Sequence, residues 1–180
     1  MGFMALWCLY RYLHGERRDS RWMYGLAASL VAATLTKSVA GLFFAPGMLL
    51  YVLYKRQLIP LLKDKHLWLG VGTFVFCVAG YYLYREWDAP GFLHKLQQGE
   101  LGGHYLKPRD GHLHPYFWYW DRMINLKYSY WFLPSLFGLL VSYHPRLKKW
   151  RDWHTLLWLA WLSWMLVISS SQTKLEWYDA

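Results

Sequence analysis

Apolar and polar positions divide the chain into six apolar runs that alternate with polar connectors. The runs cover residues 1–13, 22–36, 40–54, 66–84, 128–143 and 153–169. A helix needs about 20 residues to cross a bilayer, and the 19 residues of 66–84 come closest to that length. The pattern predicts an all-α fold, a polytopic transmembrane helical bundle with about six membrane segments.

Lys37 interrupts the apolar sequence between the second and third runs. A single helix over residues 22–54 is not expected, because Gly41, Pro46 and Gly47 follow and disfavour a continuous helix. The segment is therefore either two short helices that meet at Lys37 or a broken pair inside a bundle.

The short connectors carry eleven basic residues and indicate an orientation. These are Arg17, Arg18 and Arg21 in the first, Lys55, Arg56, Lys63 and Lys65 in the second, and Arg146, Lys148, Lys149 and Arg151 in the third. Alternating spans place all three connectors on one side, which the positive-inside rule makes the cytoplasm. Lys37, Lys174 and the long polar segment 85–127 then lie on the extracytoplasmic side.

Composition supports the membrane interpretation. The chain is 56% hydrophobic and 21% aromatic, with 13 Trp and 15 Tyr, the residues that collect at membrane interfaces. A net charge of +9 would suggest a nucleic-acid partner in a soluble protein. Because the charge is segregated into connectors, no nucleic acid is expected. We expect residues 1–180 to be one membrane domain, cut from a longer protein.

Segment 85–127 is the long extracytoplasmic loop of this topology. It holds five of the eleven acidic residues and four of the eight histidines, and it ends in an aromatic block at 115–120. We expect a short helix near 90–98, irregular chain over 99–114 and a helix from Pro115 onward. The aromatic block suits an interfacial belt or a surface on which a sugar stacks.

Histidines in this loop raise the question of a divalent metal. His104, His112 and His114 lie close in sequence, but zinc sites usually have tighter sets of Cys, His or carboxylate ligands. We therefore expect no resident cofactor, with a divalent metal as the minor alternative.

Two lysines at span ends are candidate anion-binding groups. Lys37 is either a lysine that extends to the interface or a cation for a lipid phosphate, helped by backbone N–H groups of the next helix. Lys174 repeats the arrangement after the last run. Two lysines on one face make a better anion site than either alone.

Four segments, in order, resemble bacterial glycosyltransferase family 39, which includes the aminoarabinose transferase and relatives of protein O-mannosyltransferases. Residues 35–42 resemble its Leu-Thr-Lys-Gly-Pro segment, with Ser38-Val39 in place of Gly-Pro. Residues 100–104 stand near its Glu-x-x-x-Arg-Phe, with His for Arg. Residues 111–119 resemble its His-x-x-Pro-aromatic-Tyr-Tyr stretch, and residues 170–178 its Ser-x-x-Lys-x-x-x-Tyr ending.

The resemblance implies a type-C glycosyltransferase that takes a sugar from a polyprenyl-phosphate donor at the outer face of the bacterial inner membrane. The acceptor is a glycan, a lipid or a protein, whose hydroxyl attacks the anomeric carbon with inversion. The family's catalytic Asp is expected upstream of this chain, so no catalytic residue is assigned. The roles implied here are donor phosphate binding by Lys37 and Lys174, and lid or substrate contact by Glu100, His104, His114, Tyr119 and Tyr178.

Two other classes of protein remain open. A transporter or channel would carry polar groups at mid-membrane, whereas these runs are almost free of charge. A non-catalytic membrane scaffold would have a loop without affinity for sugar or lipid phosphate.

Overall fold

A computed structural model describes residues 1–15, 18–97, 114–127 and 129–171, and within these ranges the chain is helical with no strand. The prediction of an all-α fold is confirmed. The α-helices are α1 (Gly2–His14), α2 (Ser20–Lys37), α3 (Ala45–Tyr54), α4 (Leu58–Leu62), α5 (Lys65–Asp88), α6 (Phe92–Leu96), α7 (Trp118–Arg122), α8 (Ser129–Ser142) and α9 (Arg151–Ser170). Two 3-10 helices (Ser38–Leu42 and Pro145–Trp150) and a π-helix (Met123–Lys127) complete the described elements.

Helix boundaries follow local chemistry. Asp19 and Asp64 cap α2 and α5, each accepting a backbone N–H, from Arg21 at 2.9 Å and from His66 at 2.8 Å. Helix α2 ends at Lys37, because Ser38 adopts a φ of +52° and a 3-10 turn follows. Of the two alternatives from the sequence, the structure shows two helices joined by this turn.

The core forms where α1 packs on α2, α2 on α5 and α3 on α9. Its largest fully buried side chains here include Tyr12, Met23, Tyr51 and Leu156. Trp153 at the start of α9 receives edge contacts from Phe3, Trp7 and Tyr10, with ring centroids 5.1–5.5 Å apart. Aromatic packing thus joins the first and last described helices.

Contacts between helix ends bring the three basic connectors to one end of the bundle. Tyr12 donates to Asp64, Arg18 donates to Gln57, and the Lys55 ammonium lies 3.0 Å from the Asp152 carboxylate. We call this the basic end. At the other end, the Lys37 end, the Ser163 hydroxyl lies 3.4 Å from the Phe43 carbonyl.

Within the described ranges, two helical segments are long and apolar enough to cross a membrane. They are Ser20–Leu42 and Lys65–Asp88, with mean hydropathies of 1.4 and 1.5. Helices α3 and α8 are apolar but shorter, at 10 and 14 residues. By length and apolar composition, α2 with the turn that follows it and α5 are therefore candidate membrane segments.

Candidate functional site

Lys37 is exposed at the point where α2 ends. The chain turns at Ser38, and the following 3-10 helix folds back so that Gly41 lies against the backbone of Ala33. A Cβ at Gly41 would lie 2.3 Å from the Ala33 carbonyl oxygen, so this turn requires glycine there. The close approach thereby fixes the course of the backbone just after Lys37.

The C-terminal part of α5 and helix α6 lie beside this turn. Ser38 Oγ and the Tyr82 hydroxyl share a hydrogen bond at 3.4 Å. The Tyr82 ring stacks on Phe92 with centroids 6.4 Å apart, and the Arg85 guanidinium lies 4.9 Å from the centre of the same ring. The short helix predicted near 90–98 is confirmed as α6, at Phe92–Leu96. Through Tyr82 it lies next to the Lys37 turn.

Glu86 is the carboxylate that holds α6 in place. It accepts backbone N–H groups from Leu93 at 2.7 Å and from Gly91 at 2.9 Å. Glu86 is therefore a structural acceptor whose carboxylate holds the start of α6 against the end of α5.

The aromatic block forms α7, which begins three residues after the predicted start at Pro115. The His114 imidazole stacks on Trp118 with centroids 4.4 Å apart and planes 11° apart. The Arg122 guanidinium lies 4.7 Å from the centre of the same indole. His114 is exposed, so its imidazole is accessible to solvent on the Trp118 surface.

Tyr119 has the opposite environment. It is fully buried with Met165 and Ile168 of α9, in a cluster that includes Phe43 and Trp120. The Tyr119 ring packs the aromatic block against the end of α9 that also contacts the segment after Lys37. The structure thus places both Tyr119 and His114 at the Lys37 end. Tyr119 is buried and holds α7 against α9, whereas His114 is at the surface.

Glu100, His104, Lys174 and Tyr178 lie outside the described residues, so the predicted convergence of Lys37 with Lys174 does too. The irregular chain predicted over 99–114 lies outside them except for His114. Among the residues that the structure does describe, no group of three His, Cys, Asp or Glu side chains could hold a metal ion.

Sequence reasoning missed a polar cluster at the basic end. Asp152 Oδ2 lies 3.0 Å from Lys55 Nζ and 3.1 Å from His14 Nε2, and the Tyr51 hydroxyl lies 3.3 Å from that same imidazole nitrogen. Burial of Asp152 acts to raise its pKa. The hydrogen bond from Lys55 and the positive charges of Lys55 and His14 together have the larger, opposite effect, so the pKa of Asp152 is lowered. These residues come from three helices distant in sequence, so no local motif could have revealed them.

Comparison with protein-family models, curated proteins and solved structures found no match to this chain. Two observations therefore single out the Lys37 end as the candidate site. They are the geometry around Lys37 and the sequence segments that resemble glycosyltransferase family 39.

Proposed function

We propose that the chain is the membrane-embedded part of a glycosyltransferase that moves a sugar from a polyprenyl-phosphate donor to an acceptor at the outer face of the bacterial inner membrane. The observation that carries this proposal is the position of Lys37. Its exposed ammonium group stands at the end of an apolar helix, opposite the basic connectors and beside the α5–α6 corner.

Exposure along α5 supports the membrane part of the proposal. Only Gly70 of its 24 residues is buried, whereas Phe76 and Trp87 are 79% and 81% exposed. The core helix of a soluble protein would be mostly buried, so this exposed apolar surface suits lipid contact. Trp68 and Tyr84 lie 16 residues apart, about 24 Å along a helix, which suits interfacial aromatic residues at both membrane faces.

Four other helices extend the proposal to six membrane segments. Helices α1, α3, α8 and α9 coincide with the remaining apolar runs, and the exposed face of α8 includes Tyr130, Trp131 and Phe137. With the basic end in the cytoplasm, the Lys37 end faces the exterior. The whole of residues 1–180 then forms one membrane domain.

The proposed chemistry uses Lys37 as a counter-charge for the donor phosphate. The acceptor oxygen attacks the anomeric carbon, the bond from that carbon to the phosphate oxygen breaks, and the acceptor proton passes to a general base. Negative charge grows on the leaving phosphate, and an ammonium group stabilises it. Such a charge-assisted contact contributes about 1.5–3 kcal/mol, or roughly ten- to hundredfold in affinity.

The test is sugar transfer by Lys37→Ala in the full-length enzyme, in membranes supplied with the polyprenyl-phosphate donor. We expect donor use to fall roughly tenfold or more, and Lys37→Arg to recover part of it, because a planar guanidinium does not reproduce a compact ammonium. Lys174→Ala is expected to act similarly.

Lys95→Ala is the matched control, since Lys95 is an exposed lysine of α6 at the same end. It should transfer sugar normally. Equal activity of Lys37→Ala and Lys95→Ala would show that the Lys37 side chain only extends to the membrane interface. Sugar transfer at the wild-type rate by all of the lysine variants would overturn the assignment of Lys37 and Lys174 to the donor phosphate.

A further inference from the structure

An apolar cavity lies between α2 and α5, the two helices that could cross a membrane, and Leu42 and Ala45 from the segment after Lys37 also line it. Its volume is about 190 Å³ and its wall presents no polar surface. From α2 the wall includes Met23, Ala27 and Leu30, and from α5 it includes Gly70 and Val71. Since Val71 is 42% exposed, the cavity opens to the outside of the bundle.

Small residues explain why the space is not filled by the protein itself. Ala27 and Gly70 face each other, and a Cβ at Gly70 would lie 3.5 Å from the Ala27 Cβ, an ordinary van der Waals contact. Neither residue has side-chain atoms that reach into the space above or below this contact. An unfilled apolar cavity loses dispersion contacts, so a hydrocarbon chain from outside stabilises it.

Charge at one end of the cavity indicates the kind of lipid. Met23 and Leu67, which line the cavity nearest the basic end, lie within two residues of Arg21 and Lys65. Both cations are exposed, and the Tyr24 hydroxyl bonds His66 Nδ1 at 2.8 Å between them, which joins the two helices at this point.

Two carboxylates are near but already engaged. Asp19 accepts the Arg21 backbone N–H, and Asp64 accepts from the His66 backbone and the Tyr12 hydroxyl. Basic positions beside a groove between membrane helices are a recurrent arrangement for anionic headgroups.

We propose that this cavity holds one acyl chain of an anionic phospholipid whose phosphate lies between Arg21 and Lys65 at the basic end. The inference depends on the membrane placement in the proposed function. Its headgroup lies at the end opposite Lys37, so it is separate from the phosphate of the sugar donor, and its acyl chain serves to hold α2 against α5.

The experiment is native mass spectrometry of the full chain, purified in neutral detergent and incubated with phosphatidylglycerol or phosphatidylethanolamine of identical acyl chains. The wild type should retain phosphatidylglycerol preferentially. Arg21→Gln with Lys65→Gln should reduce that retention by about fivefold for each charge removed and reduce retention of phosphatidylethanolamine less, because its ammonium already neutralises its phosphate.

Filling the cavity gives a second, independent variant. Gly70→Leu should reduce retention of both lipids, whereas Gly72→Leu, on the same helix with nothing within 4 Å of an added Cβ, should retain them as the wild type does. If Gly70→Leu does not fold, the charge variants carry the test alone.

Unchanged phosphatidylglycerol retention in the Arg21 and Lys65 double variant would overturn the inference, as would a wild type that retains neither lipid. Carbonate extraction of membranes separates this failure from failure of the proposed function. A chain that resists extraction but shows no lipid selectivity refutes only the lipid site, while a chain released by carbonate refutes the membrane placement itself.

Discussion

Gly47 of α3 lies directly against Ala160 of α9, where an added Cβ would be 2.5 Å from the Ala160 Cα and 2.3 Å from the Leu159 carbonyl oxygen. The obstacles are backbone atoms, which cannot rotate away. Close approach through small residues is typical of helix pairs in membranes.

Gly47→Ala is expected to destabilise the protein by about 1–3 kcal/mol, because the methyl group forces α3 away from α9. The measurement is thermal unfolding in detergent. Gly72→Ala is the control, since open space surrounds that position and alanine favours a helix. If Gly47→Ala and Gly72→Ala unfold at the same temperature, the close approach at Gly47 is refuted.

Asp152 links α1, α3 and α9 through His14 and Lys55. Asp152→Asn should cost about 1 kcal/mol, a modest value because the Lys55 and Asp152 side chains are 30% and 31% exposed. A double-mutant cycle with Lys55→Gln measures the coupling. Asp88→Asn is the control, since its carboxylate lies 4.0 Å from Arg85 and is 56% exposed, and an equal loss there would argue against a specific link.

The lowered pKa of Asp64 makes the free energy of unfolding depend on pH. The hydrogen bond from Tyr12 is the main cause that lowers its pKa below the ordinary 3.8. The folded state therefore binds fewer protons, so this contribution is present above pH 3.8 and is lost as the pH falls through the folded value.

Tyr12→Phe should flatten the acid side of the stability profile, measured by unfolding between about pH 2 and 6, the range in which carboxyl groups titrate. Tyr54→Phe, at a 64% exposed tyrosine, should leave the profile unchanged. Parallel acid profiles for wild type and Tyr12→Phe would rule out this bond as the cause.

Tyr119 anchors α7 against α9. Tyr119→Ala should cost about 3–5 kcal/mol, the range for removing a fully buried aromatic side chain. Tyr116→Ala, three residues earlier at a position that is 44% exposed, should cost much less. Unfolding in detergent measures both, and similar losses would mean that α7 is not held by Tyr119.

Orientation can be tested with cysteines introduced at the two ends of the bundle after Cys8 and Cys77 are replaced by Ala. Lys95→Cys should react with an impermeant thiol reagent in intact cells, and Lys148→Cys only after permeabilisation, because the basic connectors favour the cytoplasm. Both positions are exposed. Labelling of Lys148→Cys alone would invert the topology.

Helix positions followed from the sequence because apolar runs and their polar interruptions are local signals. The helical segments coincide with the six runs, the break falls at Lys37, and α6 lies inside the predicted 90–98. Pro90 and Gly91 already mark where α6 begins, but its anchoring by Glu86 required the folded corner.

Tertiary structure alone decided which of these helices meet and what fills the space between them. Nothing local in the sequence pairs Asp152 with His14 and Lys55, or Gly47 with Ala160, because each contact joins helices far apart in the chain. The same holds for Tyr119, whose burial depends on α9 lying beneath it. Periodicity sets which residues share a helix face, whereas packing sets which faces touch, and the second depends on every helix at once.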